Sequence, residues 1–417
     1  MTVQQKPNLM IDKLQPALVA QVLSWGFLSK NDLRIARTCK VFSQVRLFEI
    51  TARRCEVAVP GCIKSRNCAN LTSVRVLDRN WQEASIMQLL QSVKTLRKLE
   101  LPAGSSFSEA LARKMSEHPA LRAVDVTVLD DKQLEQAASI KPLTRLSIQS
   151  KITDVGFAHL SKAQNLVELR LNACGQISSP HPLRSLGLAR LVIGQCPKDP
   201  ASLAQDCRYC GFTGTPLVPQ LLDDAFFSYL FTNATTLHTV DLSNVKNPSL
   251  GEGLLPLGSL PLLRTLNIDR CLVALEAIEA IGRCTQIQTL RFTQNGSDHR
   301  LRKKKEEIAA ASGAGSASEP RATRSAEESR VTEAHVLKAF AQCASLVELE
   351  LHSLPAAFLN QIQFQLASIQ KLASSLPKLN KLIISTKEPQ DSFKKSLAHL
   401  KVVSIDVSVA AETFQKR

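Results

Sequence analysis

One spacing recurs along this chain and leaves few folds open to it: an aliphatic residue, two others, an aliphatic, one other, an aliphatic. Ten clear copies begin at Leu96, Leu121, Leu143, Leu166, Leu188, Leu237, Leu263, Ile287, Leu346 and Leu379, as in Leu166-Leu169-Leu171 and Leu263-Leu266-Ile268. Leu71-Val74-Val76 reads as a first copy and Leu400-Val403-Ile405 as a last. The second and third apolar positions alternate as in a short strand with one buried face, while the first anchors the approach to it. Starts at 71, 96, 121, 143, 166 and 188 lie 25, 25, 22, 23 and 22 residues apart. A fixed period of roughly 20–29 residues means stacked units, none of which can bury its apolar side alone.

Between strands the spacing leaves room for a short helix. Residues 154–162 are expected to form one, with Val155, Ala158 and Leu160 closing the layer above and Thr153 or Asp154 as N-cap. Three residues past the last apolar position stand Cys174, Cys196, Cys271 and Asn295, small polar or thiol groups suited to satisfying backbone inside a bend. The stretch from Ile152-Thr153-Asp154-Val155-Gly156 to Leu171-Asn172-Ala173-Cys174 resembles the cysteine-containing leucine-rich repeats. That resemblance covers roughly residues 70–405. It implies an α/β leucine-rich repeat solenoid of about twelve repeats, curved, with parallel strands on a concave face and helices on a convex one. The 49 residues from Leu188 to Leu237 are long enough for two repeats, and Cys207, Cys210 and Phe212 fit the frame of a missing one. The alternative for Cys207 and Cys210 is half of a zinc site, for which no second pair follows at close range.

Before Leu71 the pattern is helical. Leu14, Leu18 and Val22 recur every four residues, Val19 and Leu23 widen the stripe, and residues 33–42 form a second helical stretch after Asn31 and Asp32. The segment with Leu14, Pro16, Leu18, Val22, Leu23, Leu28, Leu33, Cys39 and Phe42 resembles an F-box. The resemblance implies that these residues grip the Skp-family adaptor of a cullin ubiquitin ligase. Three departures stand against the family pattern: the proline is at 16 rather than beside Leu14, Ala17 replaces an acidic residue, and Trp25-Gly26 look inserted. A helical cap on the end of the repeats is the other reading of the same stripe. The expected organisation is a helical F-box-like module over residues 8–55, repeats over 56–295, a low-complexity disordered insertion over 296–331, and C-terminal repeats over 332–410.

Charge enters where a partner has to be chosen. Lys and Arg number 52 against 37 Asp and Glu, a net +15. The concave positions read from the frame carry Lys98, Arg145, Arg170, Arg190, Arg291 and Lys381 against Glu100, Asp125, Glu168, Asp241, Asp269, Glu348 and Glu350. That balance suits a mixed-charge protein surface, with Glu348, Glu350 and His352 as an acidic end. A nucleic-acid groove concentrates positive charge and interleaves aromatics, and only Tyr209 answers to that. The run Arg300, Arg302, Lys303, Lys304 and Lys305 reads as solvated linker or as a basic localisation or nucleic-acid patch.

Phosphate loops, zinc-protease motifs and nucleophile elbows are missing from the sequence, so neither catalysis nor a cofactor or metal is expected. No stretch approaches the roughly 18 apolar residues of a membrane span, and the N-terminus has no secretory pattern. The expected location is cytoplasm or nucleus. The expected function is substrate recognition in a Skp/cullin/F-box ligase, with a structural scaffold in a larger, ribonucleoprotein-like assembly as the alternative.

Overall fold

The computed structural model describes residues 49–52, 70–76, 81–102, 107–149, 152–172, 177–194, 222, 224–243, 251–271, 273–294, 331–351, 364–386, 397, 400 and 402–407. The chain divides into two compact units, Met1–Leu169 and Arg170–Arg417.

In the first unit, β1 (Glu49–Ala52), β2 (Ser73–Val76), β3 (Lys98–Leu101), β4 (Ala123–Val128) and β5 (Leu143–Gln149) pair in chain order, each parallel to the next. Parallel neighbours require a crossover. It is supplied by α1 (Glu83–Ser92), α2 (Glu109–Glu117) and α3 (Asp131–Ala138), and α4 (Asp154–Ala158) follows β5. From β2 to β4 register is set at the residue after the leading leucine. The Thr72 carbonyl accepts from both Arg97 N–H (2.7 Å) and Lys98 N–H (2.9 Å), and the Arg97 carbonyl from Arg122 N–H (2.8 Å) and Ala123 N–H (3.0 Å). One carbonyl thus fixes two donors of the next strand, and each triplet stacks on the last. The stacked residues Leu71, Leu96, Leu99, Leu143, Leu146 and Leu169 are all buried. The helices face them at helical spacing with Ile86, Leu89 and Leu90, then Leu111, Ala112 and Met115, then Leu134, Ala137 and Ala138. Removing one such leucine side chain costs about 2–5 kcal/mol through lost transfer energy and the cavity left behind.

The helix starts are tied to one another as well. Ser108 caps α2 by accepting from Leu111 N–H (3.2 Å), and its hydroxyl donates to Glu83 in the first turn of α1. Asp130 caps α3 by accepting from Gln133 N–H (2.8 Å). Its neighbour Asp131 receives Thr153 N–H at 2.8 Å and the Thr153 hydroxyl at 2.6 Å. Thr153 does sit at the N-cap of α4, but its hydroxyl serves the preceding repeat rather than its own helix. The expected apolar stripe of this helix is out of phase: Val155 is 75% exposed and Ala158 is exposed, while Gly156, Phe157 and Leu160 are buried. Phe157 and Leu160 lie three apart on one face, and the chain tightens into a 3₁₀ turn at His159–Lys162, which fixes that phase.

The strand β6 (Glu168–Asn172) begins in the first unit and ends in the second. In the second unit β7 (Arg190–Gly194), β8 (Thr239–Asp241), β9 (Thr265–Cys271), β10 (Thr289–Gln294), β11 (Glu348–Leu351), β12 (Lys381–Thr386) and β13 (Val402–Val407) again pair in order and in parallel. The shared-carbonyl device repeats at Ala189, His238, Arg264, Gln288 and Val347. The intervening helices are α5 (Asp224–Asn233), a 3₁₀ segment at Glu252–Ser259, α6 (Leu275–Gly282), α7 (Glu333–Phe340) and α8 (Leu366–Ser375). Phenylalanines fill much of this core: Phe226, Phe227 and Phe231 are buried, and Phe292 meets Phe340 edge to face at 5.4 Å. Helices α6 and α7 touch backbone to backbone, since a methyl on Gly282 would stand 2.9 Å from the Ala339 carbonyl oxygen.

Cys271 behaves as its place in the frame requires. It is buried, and its thiol donates to the Leu242 carbonyl of the preceding repeat at 2.7 Å. Cys174, Cys196 and Asn295 lie outside the described residues. Both units fold as leucine-rich repeats.

Two further expectations change. The repeat sheet starts before Leu71: β1 pairs Ile50 with Val74 and Ala52 with Val76, so a strand stands within residues 8–55, where only helices were expected. In the described sheet β7 and β8 are direct neighbours. Leu191 pairs directly with Val240, so the edge of β7 that Cys207, Cys210 and Phe212 would have needed is already taken by β8. Those three residues lie outside the described residues, as do the helical stretch over 14–42 and the insertion over 296–330. Across that insertion β10 and β11 pair in register, Leu290 with Leu349 and Phe292 with Leu351.

Candidate functional site

Every strand of a leucine-rich repeat presents the residues between its buried positions to the opposite side of the sheet. In the first unit one such row runs Arg75, Glu100, Asp125, Arg145 through successive register partners. Two carboxylates stand side by side, flanked by guanidinium groups. Arg75 Nε meets Glu100 Oε2 at 3.0 Å, Lys98 pairs with the other Glu100 oxygen, and Arg145 Nε lies 3.3 Å from Glu168 Oε2. Glu168 is only 4% exposed. A carboxylate that deep is tolerated only because a cation and further hydrogen-bonding groups meet it. Arg170 is exposed, and Asp125 is half-buried.

The second unit carries two rows. One runs Arg190, Thr239, Thr265, Thr289, Glu348, Lys381, and the other Val192, Asp241, Asn267, Arg291, Glu350, Ile383. Arg291 Nε bonds Glu350 Oε2 at 2.9 Å, while Lys381 pairs with Glu348 and stands 3.8 Å from Glu350 Oε1. Glu350 is 7% exposed. The acidic end expected from Glu348 and Glu350 is therefore a neutral four-charge network. Register alone brings Arg291 and Lys381 opposite those carboxylates. Asp241 Oδ1 accepts from Ser243 N–H (3.0 Å) and Asn267 Oδ1 from Asp269 N–H (3.0 Å), which fixes how both side chains leave the sheet. Arg190 is exposed and Asp269 half-buried.

The frame thus brings Lys98, Glu100, Asp125, Arg145 and Glu168 onto one face of the first unit. It brings Arg190, Asp241, Asp269, Arg291, Glu348, Glu350 and Lys381 onto the corresponding face of the second, together with Arg170. Tyr209 and His352 lie outside the described residues, as do Leu14, Pro16, Leu18, Val22, Leu23, Leu28, Leu33, Cys39 and Phe42. Sequence reading overlooked Arg75, although its place between Val74 and Val76 is the outward position of the frame. It also overlooked the threonine row at 239, 265 and 289, whose alignment depends on register.

Several histidines and cysteines among the described residues are engaged in structure. His118 is 7% exposed. Its Nε2–H donates to the Val93 carbonyl at 3.0 Å and its Nδ1 accepts Leu121 N–H at 3.2 Å. Burial first, and then the charges of Lys94 and Lys114, hold its pKa below the ordinary 6.5. His159 stands 3.8 Å from Glu135, and the exposed His238 ring bonds the Thr236 carbonyl at 2.8 Å. Burial, with Cys343 nearby, pushes the Cys284 thiol up to about 12, and burial raises Cys343 to about 11. Among the described residues no three His, Cys, Asp or Glu side chains gather as a metal site would need, and no helix is long and apolar enough to cross a membrane.

No family model matches the chain, and no curated protein does. Solved structures do match. An internalin (InlF) from Listeria monocytogenes is 14% identical at a TM-score of 0.44, covering 96% of each chain. Internalin C2 from the same organism is 17% identical at 0.34, covering 65% of this chain and 83% of its own. A TLR13–ssRNA13 complex is 13% identical at 0.39, covering 86% and 54%. At these identities and scores the fold rests on this chain's own register and core.

Proposed function

We propose that this chain is a non-catalytic recognition subunit whose outward strand face holds a protein partner. The observation that carries this reading is the pair of in-register rows on the second unit. Hydroxyl, amide and paired charged groups are held there at strand spacing by a buried leucine core. Such a surface is ordered before binding, so less side-chain freedom is lost when a partner docks. Its charges already satisfy one another, so recognition works through shape and hydrogen bonding rather than a bulk field.

Residues 14–42 resemble an F-box, and on that resemblance the partner is a substrate presented to a Skp/cullin ubiquitin ligase in the cytoplasm or nucleus. The chain's share in catalysis is then proximity alone. The test is a pull-down of the full chain with a Skp-family adaptor and cullin. Retention that is lost on Leu18→Asp and kept when residues 56–410 are deleted supports the ligase reading. No retention by the unaltered chain refutes it, while leaving the strand face to be tested by Thr265→Arg against co-purifying proteins.

A further inference from the structure

Cations gather on a second surface of the first unit, the edge where each helix turns back into its strand. Lys94, Arg97, Arg122, Lys141 and Lys162 are exposed there, and Lys114 is half-exposed. Hydrogen bonds between successive turns tie Arg97, Arg122 and Lys141 along one edge: Arg122 N–H bonds the Arg97 carbonyl at 2.8 Å, Lys141 N–H bonds Ser116 Oγ at 3.1 Å, and Asn165 Nδ2 bonds the Lys141 carbonyl at 2.9 Å. His118 lies beneath, joining the turn at Val93 to that at Leu121, and both Lys94 and Lys114 act on its ring.

These six differ from the cations of the strand face. Arg75, Lys98 and Arg145 each meet a carboxylate, whereas none of the six has an ion-pair partner among the described residues. Neighbouring repeats lie only about 4.8 Å apart in the hydrogen-bonding direction, so like charges on successive turns repel one another. The C-terminal dipole of α2 offsets this for Lys114 in its last turn. Arg97 and Arg122 stand at strand entries, where no helix end compensates them.

The ligand class follows from what accompanies the cations. The turn segments 93–98, 113–122, 139–145 and 162–167 contain no Phe, Tyr or Trp, and the one ring, His118, is buried and engaged. Nothing there stacks a base, which a single nucleic-acid strand would need. Glu117 is exposed within the row, and a single carboxylate among cations suits a peptide carrying both polar and acidic side chains better than a continuous phosphate backbone. We propose that this edge binds an acidic polypeptide segment of a partner protein, independently of the outward strand face.

Fluorescence anisotropy of the full chain, titrated against a labelled oligo-glutamate of about twenty residues, tests this. Reversing Lys94, Arg122 and Lys141 to Glu together is expected to weaken binding at least about tenfold, because like charges then face the peptide. Reversing Lys303, Lys304 and Lys305, which changes net charge equally, is expected to leave it within about twofold. Thermal melts of both variants, and the milder Lys94→Gln/Arg122→Gln/Lys141→Gln, separate lost binding from lost folding. No binding by the unaltered chain, or equal losses in the two reversed variants, overturns the proposal. So does tighter binding to RNA of matched charge that the edge substitutions abolish, which would reassign the edge to nucleic acid.

Discussion

Gly156 is the residue whose replacement most sharply tests how successive repeats are clasped. A methyl built on it would overlap the Asp131 carboxylate and stand 2.7 Å from Asp131 Cβ. Asp131 cannot swing aside without releasing Thr153 N–H and the Thr153 hydroxyl. Two hydrogen bonds to a charged, part-buried acceptor are worth about 3 kcal/mol together, taking the low end of the range for each. Gly156 lies inside α4, so alanine recovers about 1 kcal/mol of helix propensity. The net expectation for Gly156→Ala is destabilisation by about 2 kcal/mol. Trp81 reports it: the ring is buried in the same unit and its indole N–H donates to the Pro102 carbonyl at 3.3 Å. Urea unfolding followed by its fluorescence in a Trp25→Phe background gives the free energy. In an Asp131→Ala background the two hydrogen bonds are already gone and the propensity gain of about 1 kcal/mol remains, so the same glycine substitution should come out between neutral and stabilising by about 1 kcal/mol, a coupling of about 2–3 kcal/mol. A stabilising Gly156→Ala, or a penalty unchanged by Asp131→Ala, would refute the clasp.

Other outcomes follow from groups whose environments are equally defined. His118 must be neutral for Nδ1 to accept Leu121 N–H, and its folded pKa lies below 6.5. As pH falls the unfolded chain takes up the proton first, so the His118 contribution is complete above the ordinary histidine range and lost as pH drops through the folded value. Urea midpoints from about pH 8 to about pH 5 should fall more steeply for the unaltered chain than for His118→Gln, which starts lower but does not titrate there. Cys284 and Cys343, raised to about 12 and about 11, should resist a thiol-specific disulfide reagent in native buffer and react on unfolding, checked by peptide mass spectrometry. Arg291→Ala leaves Glu350 with Lys381 at 3.8 Å and should cost about 1 kcal/mol by denaturant titration, modest because Arg291 is itself about half exposed.

The strands from β2 to β13 were legible because the apolar triplet is a local signal. Three aliphatics at fixed offsets define one rung, whatever the rest of the chain does. β1 escaped because its frame, Leu47-Ile50-Ala52, ends in a residue too small to register as a core aliphatic. The spacing of Cys207, Cys210 and Phe212, within the 49 residues from Leu188 to Leu237, fits the frame of one more repeat. Sheet neighbours are decided by which hydrogen-bonding edge is free, and β8 takes the edge of β7. The phase of α4 was misjudged by counting Val155 as core, when Phe157 and Leu160 carry the buried face. Outward positions were readable one strand at a time. Which charges meet was not, since opposing Arg291 to Glu350 or Arg75 to Glu100 requires the register that shared carbonyls impose.

That carbonyl device has an engineering corollary at the junction of β10 and β11. Fifty-nine residues separate the triplet leaders Ile287 and Leu346, against 24 between Leu263 and Ile287, yet the Gln288 oxygen still receives Val347 and Glu348 N–H as though the interval were ordinary. Alignment here is indifferent to how much polypeptide is spliced between consecutive rungs. The position after Gln294 is accordingly a natural port for grafting a tag, a sensor or a whole reporter domain while the spine on either side stays zipped.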